Sequence, residues 1–303
     1  MANLCNVDGV ITAEADARVS VLDRGFLFGD SVYEVVRMID GTPMCWAEHW
    51  ARLRVSARGL RMDLDLEEAT IAGRIAKTLA QAGGADSGEY YVRIVVTRGT
   101  GDAPNIDLAY ANRPPCWVVM VRHLESAVGK PAHIALVERL RNDRRALDPA
   151  AKSGNYLNNV LGLAEAKELG ATDCIMCNTD GSITEASTSN LFVRVDGVWC
   201  TPPLHAGILA GITRATLLEF LPKAGERVEE RDLSRADIDR AEEMFLSSTL
   251  RDIGPVTRLN GKELHGGKPG PSTAKLLPQF TEYLARRRSE RDAPHWRALL
   301  GAR

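Results

Sequence analysis

The sequence has no excess of charge of either sign and no long apolar run. Its 303 residues carry 38 lysines and arginines against 40 aspartates and glutamates, so it lacks the basic footprint of nucleic-acid or anionic-membrane binding. No apolar stretch approaches the roughly 20 residues that cross a bilayer. The first ten residues, MANLCNVDGV, have neither the basic start nor the apolar core of a leader. We expect a cytoplasmic protein that binds no nucleic acid and no membrane.

Cysteine is scarce and scattered. The six cysteines show no repeated spacing, and most lie in apolar, strand-like segments, which is typical of reduced core thiols. Cys174 and Cys177 form a C-x-x-C pair, but a zinc site needs further ligands and no second pair follows. We expect both to be structural, and we expect no metal site.

Internal repeats and heptads are missing too, which excludes solenoids and coiled coils. The composition is that of an ordinary globular protein, with 45% hydrophobic and 26% charged residues, and the length exceeds that at which one core stops growing. The expected fold class is α+β or α/β with two domains. We predict a small N-terminal domain at 1–121, a polar linker at 122–130 and a larger domain at 131–303.

The secondary structure follows from hydrophobic periodicity, valine-rich runs and turn residues. The predicted strands are 31–38, 90–97, 117–121, 133–138 and 244–247. The predicted helices are 48–60, 67–82, 156–169, one from 213 and one from 272. The basic stretch 286–288 is expected to end that last helix in solvent, where cations oppose the helix dipole.

Two residues are candidates for the chemistry. Lys152 lies among short polar residues just before a predicted helix, and an amine that loses its proton can attack an aldehyde. Glu185 lies between two apolar, strand-like segments. It is either an exposed strand residue or a buried carboxylate that needs a cation, and the protonated ring nitrogen of a pyridine cofactor is such a cation.

Two segments could bind a phosphate. The sequence GITR at 211–214 leads into an apolar helix, so the backbone N–H groups of Ile212 and Thr213 would lie at a helix N-terminus. Ser248 and Thr249 follow an apolar strand and form the second candidate, and Arg52 could add a charged fork. Each feature alone is common.

Together these segments resemble one family, the fold type IV aminotransferases, over nearly the whole chain. The resemblance rests on LDRGFLFGDSVYEVVR (22–37), EHWARL (48–53), KSGNYLNN (152–159), TEASTSNLF (184–192), LAGITR (209–214) and SSTLRDIGPV (247–256). It implies the two-domain fold of that family, pyridoxal 5′-phosphate as cofactor, and a homodimer with a shared active site.

The resemblance also assigns roles to residues. Lys152 would bind the cofactor aldehyde and shuttle the proton, while Glu185 would keep the ring nitrogen protonated. Tyr156 would approach the ring hydroxyl, and Leu209 would pack under the ring. The implied cofactor-binding residues are Arg52, Lys152, Tyr156, Glu185, Asn190, Leu209, Ile212, Thr213, Ser248 and Thr249. The implied substrate-binding residues are Phe28, Tyr33, Arg37, Tyr91, Arg93 and Arg251.

The substrate half departs from the patterns of the known subgroups. Val35 replaces the small glycine of branched-chain enzymes, and the V-Y-E-V-V sequence is similar to D-amino acid aminotransferases. The Arg-x-His carboxylate clamp expected of the latter is missing from 98–112. We expect a transaminase that moves the amino group of a branched-chain L-amino acid to a 2-oxo acid such as 2-oxoglutarate. The alternatives are a D-amino acid or (R)-amine transaminase, an aminodeoxychorismate lyase, or an inert scaffold protein.

Overall fold

The structure, a computed structural model, describes residues 3–301; the outermost residues of the two predicted domains lie outside this range. The strands are β1 (Leu4–Val7), β2 (Val10–Ala13), β3 (Ser31–Ile39), β4 (Thr42–Pro43), β5 (Glu89–Thr97), β6 (Cys116–His123), β7 (Ala132–Leu140), β8 (Asp173–Cys177), β9 (Ile183–Ala186), β10 (Asn190–Val195), β11 (Val198–Thr201), β12 (Val228–Glu230), β13 (Glu243–Ser248), β14 (Asp252–Leu259) and β15 (Lys262–Glu263). The helices are α1 (Arg24–Phe28), α2 (Trp46–Gly59), α3 (Glu68–Gln81), α4 (Leu157–Glu168), α5 (Ile212–Lys223), α6 (Arg235–Asp239), α7 (Pro271–Arg287) and α8 (Ala293–Gly301). Each predicted helix and strand is confirmed, with ends that differ by one or two residues.

The chain folds into two compact units. Within the described range, the first unit comprises 3–126, 151–155 and 286–301, and the second comprises 127–150 and 156–285. No helix of the described chain is long and apolar enough to cross a membrane.

The first unit is built on a six-stranded sheet in the order β2-β1-β6-β5-β3-β4. Its central strands β3, β5 and β6 are antiparallel. Alternate residues such as Val32, Val36 and Ile94 are buried in a cluster that includes side chains of α2 and α3. The period of two in the strands leaves the other face of the sheet with its own set of side chains.

The second unit is built on a nine-stranded sheet in the order β12-β11-β10-β13-β14-β7-β8-β9, with β15 beside β14. One face of β10 and β13 buries aliphatic residues such as Leu191 and Leu246. The other face carries Phe192 and Phe245, whose rings stack with centroids 4.8 Å apart. The parallel pairs β14·β7 and β7·β8 are central, as parallel strands usually are.

Two segments group differently from the predicted domains. Residues 151–155 and 286–301 belong to the first unit, although both follow the predicted linker. A single cut in the sequence cannot describe a chain that returns to its first unit twice. Hydrogen bonding and packing across more than a hundred residues decide this grouping, and local composition carries no signal of it.

The predicted solvated helix end at 286–288 is wrong. After α7 a π-helical segment at 288–292 continues into α8. Arg287 is only 13% exposed and pairs with Glu48 at 2.6 Å, while Trp296 of α8 is buried edge-on against Trp46, with ring centroids 5.1 Å apart. The final helices therefore complete the core of the first unit.

Candidate active site

Backbone hydrogen bonds fix the short segment that carries Lys152 in the first unit. The amide of Lys152 donates to Ser56 Oγ of α2 at 3.0 Å, and its carbonyl accepts from the amide of Tyr33 at 2.9 Å. Gly154 donates to the carbonyl of Ser31. A Cβ on Gly154 would lie 2.2 Å from Ser31 Oγ, so only glycine permits this approach. The segment extends the sheet beside the start of β3.

The amine of Lys152 lies over an aromatic ring that also carries a second cation. Lys152 Nζ is 4.5 Å from the centre of the Tyr33 ring, and Arg93 Cζ is 4.1 Å from it. Both distances are within the range of cation–π attraction. The ring of Tyr33 therefore orients a primary amine and a guanidinium on neighbouring elements of one unit.

The strand register brings most predicted substrate residues to one face of the sheet. In the antiparallel pair β3·β5, Tyr33 lies opposite Val95, Val35 opposite Arg93, and Arg37 opposite Tyr91. Because side chains alternate along a strand, Tyr33, Arg37, Tyr91 and Arg93 share the face that points away from α2 and α3. Phe28 lies elsewhere in the unit, in α1, where the guanidinium of Arg24 is 5.1 Å from its ring.

Arg52 lies in a buried charge cluster on the opposite face of the same strand. Its Nε and Nη2 each donate to a carboxylate oxygen of Glu34 at 2.7 Å, and His49 Nδ1 lies 2.7 Å from Glu34 Oε2. His49 and Arg52 are three residues apart on α2, so they share a helix face. The predicted role of Arg52 at a phosphate stays a prediction.

The electrostatics of this cluster are strongly coupled. Burial would raise the pKa of Glu34, but the charge and hydrogen bonds of Arg52 outweigh burial and, with His49, hold the pKa at about 2. Burial lowers the pKa of His49, against the opposing effect of Glu34. The cluster is a Glu–Arg ion pair braced by a histidine.

In the second unit, Glu185 of β9 is a buried carboxylate, and an exposed strand position is excluded. It is 5% exposed. Its Oε1 accepts from Nε and Nη2 of Arg141 at 3.1 and 3.0 Å, and its Oε2 accepts from Asn190 Nδ2 and the amide of Leu209 at 3.1 and 3.0 Å. The predicted residues Glu185, Asn190 and Leu209 therefore meet, and Arg141 supplies the cation that the burial requires.

The first predicted phosphate segment begins α5 as expected. Its N-cap, Gly211, offers no side-chain cap, so backbone N–H groups near Ile212 and Thr213 point out of the helix end. A Cβ on Gly211 would lie 1.9 Å from Asn190 Oδ1. Glycine thus lets the helix start approach Asn190, which also touches Glu185.

The second predicted segment follows β13. Ser247 lies opposite Asn190 in the β10·β13 pair, and Ser248 ends the strand before the turn at Thr249. The turn also carries Arg251, whose Nη2 lies 3.5 Å from Asp173 Oδ2. The two phosphate segments are therefore both adjacent to Asn190.

Tyr156 is the residue before α4, and its carbonyl accepts from the amide of Val160. Its predicted contact with the ring hydroxyl stays a prediction.

Sequence reasoning missed four charged or titratable residues that hold these groups: Glu34, His49, Arg141 and Asp173. One signal was available, since a glutamate on the core face of a valine-rich strand requires a buried cation. Arg141 and Asp173 gave no such signal, because their partners lie 44 and 78 residues away along the chain.

Comparisons with known proteins agree with this geometry. The profile of one family, amino-transferase class IV, matches residues 31–259. A Methanocaldococcus jannaschii protein, provisionally named a branched-chain amino acid aminotransferase, is 34% identical over 91% of this chain and 94% of its own. D-alanine aminotransferase of Listeria innocua is 34% identical over 89% and 92% of the two chains. The branched-chain amino acid aminotransferase of T.th., solved with pyridoxamine 5′-phosphate, superposes with a TM-score of 0.85 at 27% identity, covering 96% of each chain.

The Glu34 cluster generates a prediction about acid stability. Because the folded pKa of about 2 lies below the ordinary 4.5, the cluster stabilises the fold above pH 4.5 and loses this contribution as the pH falls towards 2. Glu34→Gln should lower the free energy of unfolding at pH 7 by about 3 kcal/mol. In urea titrations between pH 7 and 3, the gap to the unsubstituted protein should shrink. The exposed substitution Glu138→Gln is the control, and a gap for Glu34→Gln that stays constant over this range would contradict the account.

Proposed function

The chain belongs to the class IV aminotransferases, which are pyridoxal 5′-phosphate enzymes, and from this premise we propose that it transfers the amino group of a branched-chain L-amino acid to a 2-oxo acid such as 2-oxoglutarate. The observation that carries the proposal is the arrangement in the first unit, where Lys152 and Arg93 share the ring of Tyr33. A nucleophilic amine and a carboxylate-binding guanidinium are what an amino acid substrate requires.

The residues of the second unit fit the cofactor. The hydroxyls of Ser189 and Ser247 are buried and have no hydrogen-bond partner among residues 3–301, and buried polar atoms of this kind call for a ligand or water. The α5 N-terminus beside them has no side-chain cap and suits a phosphate. The carboxylate of Glu185 suits a protonated ring nitrogen.

We assign the proton chemistry to Lys152 and Glu185. When bound, pyridoxal 5′-phosphate supplies an aldehyde that takes up the amino group and a ring that withdraws electrons. Lys152 Nζ binds the aldehyde, and as a free amine it moves the proton between the substrate α-carbon and the cofactor carbon. Glu185 holds the proton at the ring nitrogen by its charge, while Arg141 compensates for the burial of that charge.

The remaining cofactor contacts are proposed by position. The backbone of Ile212 and the hydroxyls of Thr213, Ser248 and Thr249 bind the phosphate. Arg52 contributes its guanidinium to the same phosphate, Tyr156 binds the ring hydroxyl, Leu209 packs under the ring, and Asn190 orients Glu185.

The substrate preference is argued from the surroundings of Arg93. The same sheet face carries Val35, Val95, Val118 and Met120 by the register of β3, β5 and β6. All four are only partly buried, so an apolar surface is available beside the guanidinium. A carboxylate on Arg93 would place an aliphatic substrate side chain against this surface. Tyr91, Tyr33, Arg37 and Phe28 are proposed as further substrate contacts.

A second candidate is transamination of D-amino acids. The V-Y-E-V-V sequence of β3 and the 34% identity to a D-alanine aminotransferase favour it. In this case Val35, opposite Arg93, would limit the substrate to a small side chain. Amine transamination and aminodeoxychorismate cleavage have no specific support and enter as outcomes of the test.

We further propose a cytoplasmic homodimer with a shared active site. Val21, Phe26 and Ile106 of the first unit are 71%, 69% and 79% exposed. The loop of Ile106 is ordered, because the buried guanidinium of Arg24 donates to the carbonyls of residues 105–107. A fixed apolar surface of this kind is typical of an interface, and a second copy is the partner that the family resemblance implies. The free cysteines are in keeping with a reducing compartment.

The homodimer predicts a mass of twice 33.1 kDa in size-exclusion chromatography with light scattering. The double substitution Phe26→Asp with Ile106→Asp should shift the protein towards 33.1 kDa, because two charges would be buried without partners. Leu204→Asp, at an exposed position of the second unit, serves as the control. A monomeric unsubstituted protein at working concentration would rule the dimer out.

A screen of donors tests the activity and its substrate together. L-valine, L-leucine, D-alanine and (R)-1-phenylethylamine are supplied with 2-oxoglutarate, and glutamate formation is measured. We expect the two branched-chain L-amino acids to be the best donors. D-alanine as best donor would establish the second candidate. Pyruvate release from aminodeoxychorismate without an acceptor would establish a lyase, and absence of all turnover would indicate a scaffold protein.

The role of Arg93 has its own readout in that screen. Arg93→Met should raise KM for L-valine about tenfold or more, because the substrate carboxylate loses a charge-assisted hydrogen bond. The amine donor, which has no carboxylate, should be unaffected. Arg122→Met, on the neighbouring strand with an exposed ion pair to Glu14, is the matched control. Equal losses for L-valine and the amine would exclude carboxylate recognition by Arg93.

A further inference from the structure

Arg251 lies in the turn between β13 and β14 and pairs with a carboxylate that is almost fully buried. Its Nη2 is 3.5 Å from Oδ2 of Asp173, whose side chain is 2% exposed, while that of Arg251 is 25% exposed. A buried carboxylate requires a counter-charge, and Arg251 supplies it. The sequence had suggested Arg251 as a substrate ligand, so the ion pair gives this arginine a second task.

The other oxygen of Asp173 begins a continuous chain of hydrogen bonds. Asp173 Oδ1 accepts from Oγ and the amide of Ser187 at 2.6 and 3.1 Å. The carbonyl of Ser187 accepts from Asn159 Nδ2 at 2.8 Å, and Asn159 Oδ1 accepts from Arg141 at 3.1 Å. Arg141 in turn pairs with Glu185. The chain therefore ends at the carboxylate assigned to the ring nitrogen.

The backbone and stem of Arg251 are held as well. Its amide donates to the carbonyl of Ser248 at 3.2 Å, and its carbonyl accepts from the amide of Gly129 at 3.3 Å. A Cβ on Gly254 would lie 3.3 Å from Arg251 Cδ, so the absence of a side chain at 254 leaves room for the arginine stem. The turn with Ser248 and Thr249 is thus fastened to the ion pair from one side.

We propose that Arg251 is a positioning residue that acts through Asp173. It ties the turn assigned to the cofactor phosphate to the bend after Glu185, so that both ends of the cofactor seat keep a fixed separation. The inference rests on the proposed function, because it takes these two ends as the contacts of pyridoxal 5′-phosphate. A ligand that bridges both ends needs this separation, whereas a ligand that uses only the ring end does not.

The test compares two ligands on the full chain stripped of cofactor. Pyridoxal 5′-phosphate and pyridoxal, which lacks the phosphate, are titrated and followed by protein fluorescence. Arg251→Met and Asp173→Asn should each raise Kd for pyridoxal 5′-phosphate about tenfold, with a change of less than about twofold for pyridoxal. Arg251→Lys should recover most of the loss because it keeps the charge. Arg258→Met, which removes a surface ion pair on β14, should leave both Kd values unchanged.

A neutral double variant guards against simple unfolding. Loss of Arg251 alone leaves a buried charge, so Asp173→Asn with Arg251→Met is measured too. Its Kd for pyridoxal 5′-phosphate should be no worse than that of either single variant, because both act on one link.

Three outcomes would overturn the inference. Equal weakening of both ligands would indicate a general structural role. Unchanged affinity for pyridoxal 5′-phosphate with a raised KM for L-valine would make Arg251 a substrate ligand. Failure of the unsubstituted protein to bind either ligand would remove the proposed function itself, and this inference with it.

Discussion

The ion pair between Arg141 and Glu185 is the interaction on which the second unit's site depends. A carboxylate buried in a nine-stranded sheet would be costly alone, and here its hydrogen bonds offset that cost. Two guanidinium nitrogens donate to one oxygen, while an amide side chain and a backbone N–H donate to the other. The same contacts bring Asn190 and Leu209 together, and Asn190 in turn sets how closely the start of α5 can approach. One charge thus organises three segments that are distant in the sequence.

The first unit solves a similar problem with Glu34. This glutamate occupies the core face of β3, and Arg52 and His49 on α2 compensate its charge. On the opposite face of the same strand, Tyr33 carries Lys152 and Arg93 on its ring. A single strand therefore anchors α2 through a buried ion pair and presents the amine on its other side. Alternation of side chains along a strand keeps the structural charge apart from the charges assigned to the substrate.

How far the site could be predicted depends on how local its determinants are. Lys152, Glu185, Thr213 and Ser248 lie in short segments whose order matches a known family, and these segments adopt the predicted elements. Arg141 and Asp173 were not predicted, because their roles arise only when strands distant in the sequence pair. The helical end of the chain is a third case, since the basic stretch at 286–288 has the composition of a solvated terminus. Packing of Trp296 on Trp46 overrides that local pattern.

The central claim, that Lys152 binds the cofactor, has a direct test. Holoenzyme is reduced with borohydride, which makes a lysine–cofactor bond permanent, and its peptides are analysed by mass spectrometry. The account predicts a phosphopyridoxyl group on the peptide with Lys152 and no label in Lys152→Ala, whereas Lys167→Ala should be labelled like the unsubstituted protein. A label on another lysine, or no label on protein that has taken up pyridoxal 5′-phosphate, would contradict it.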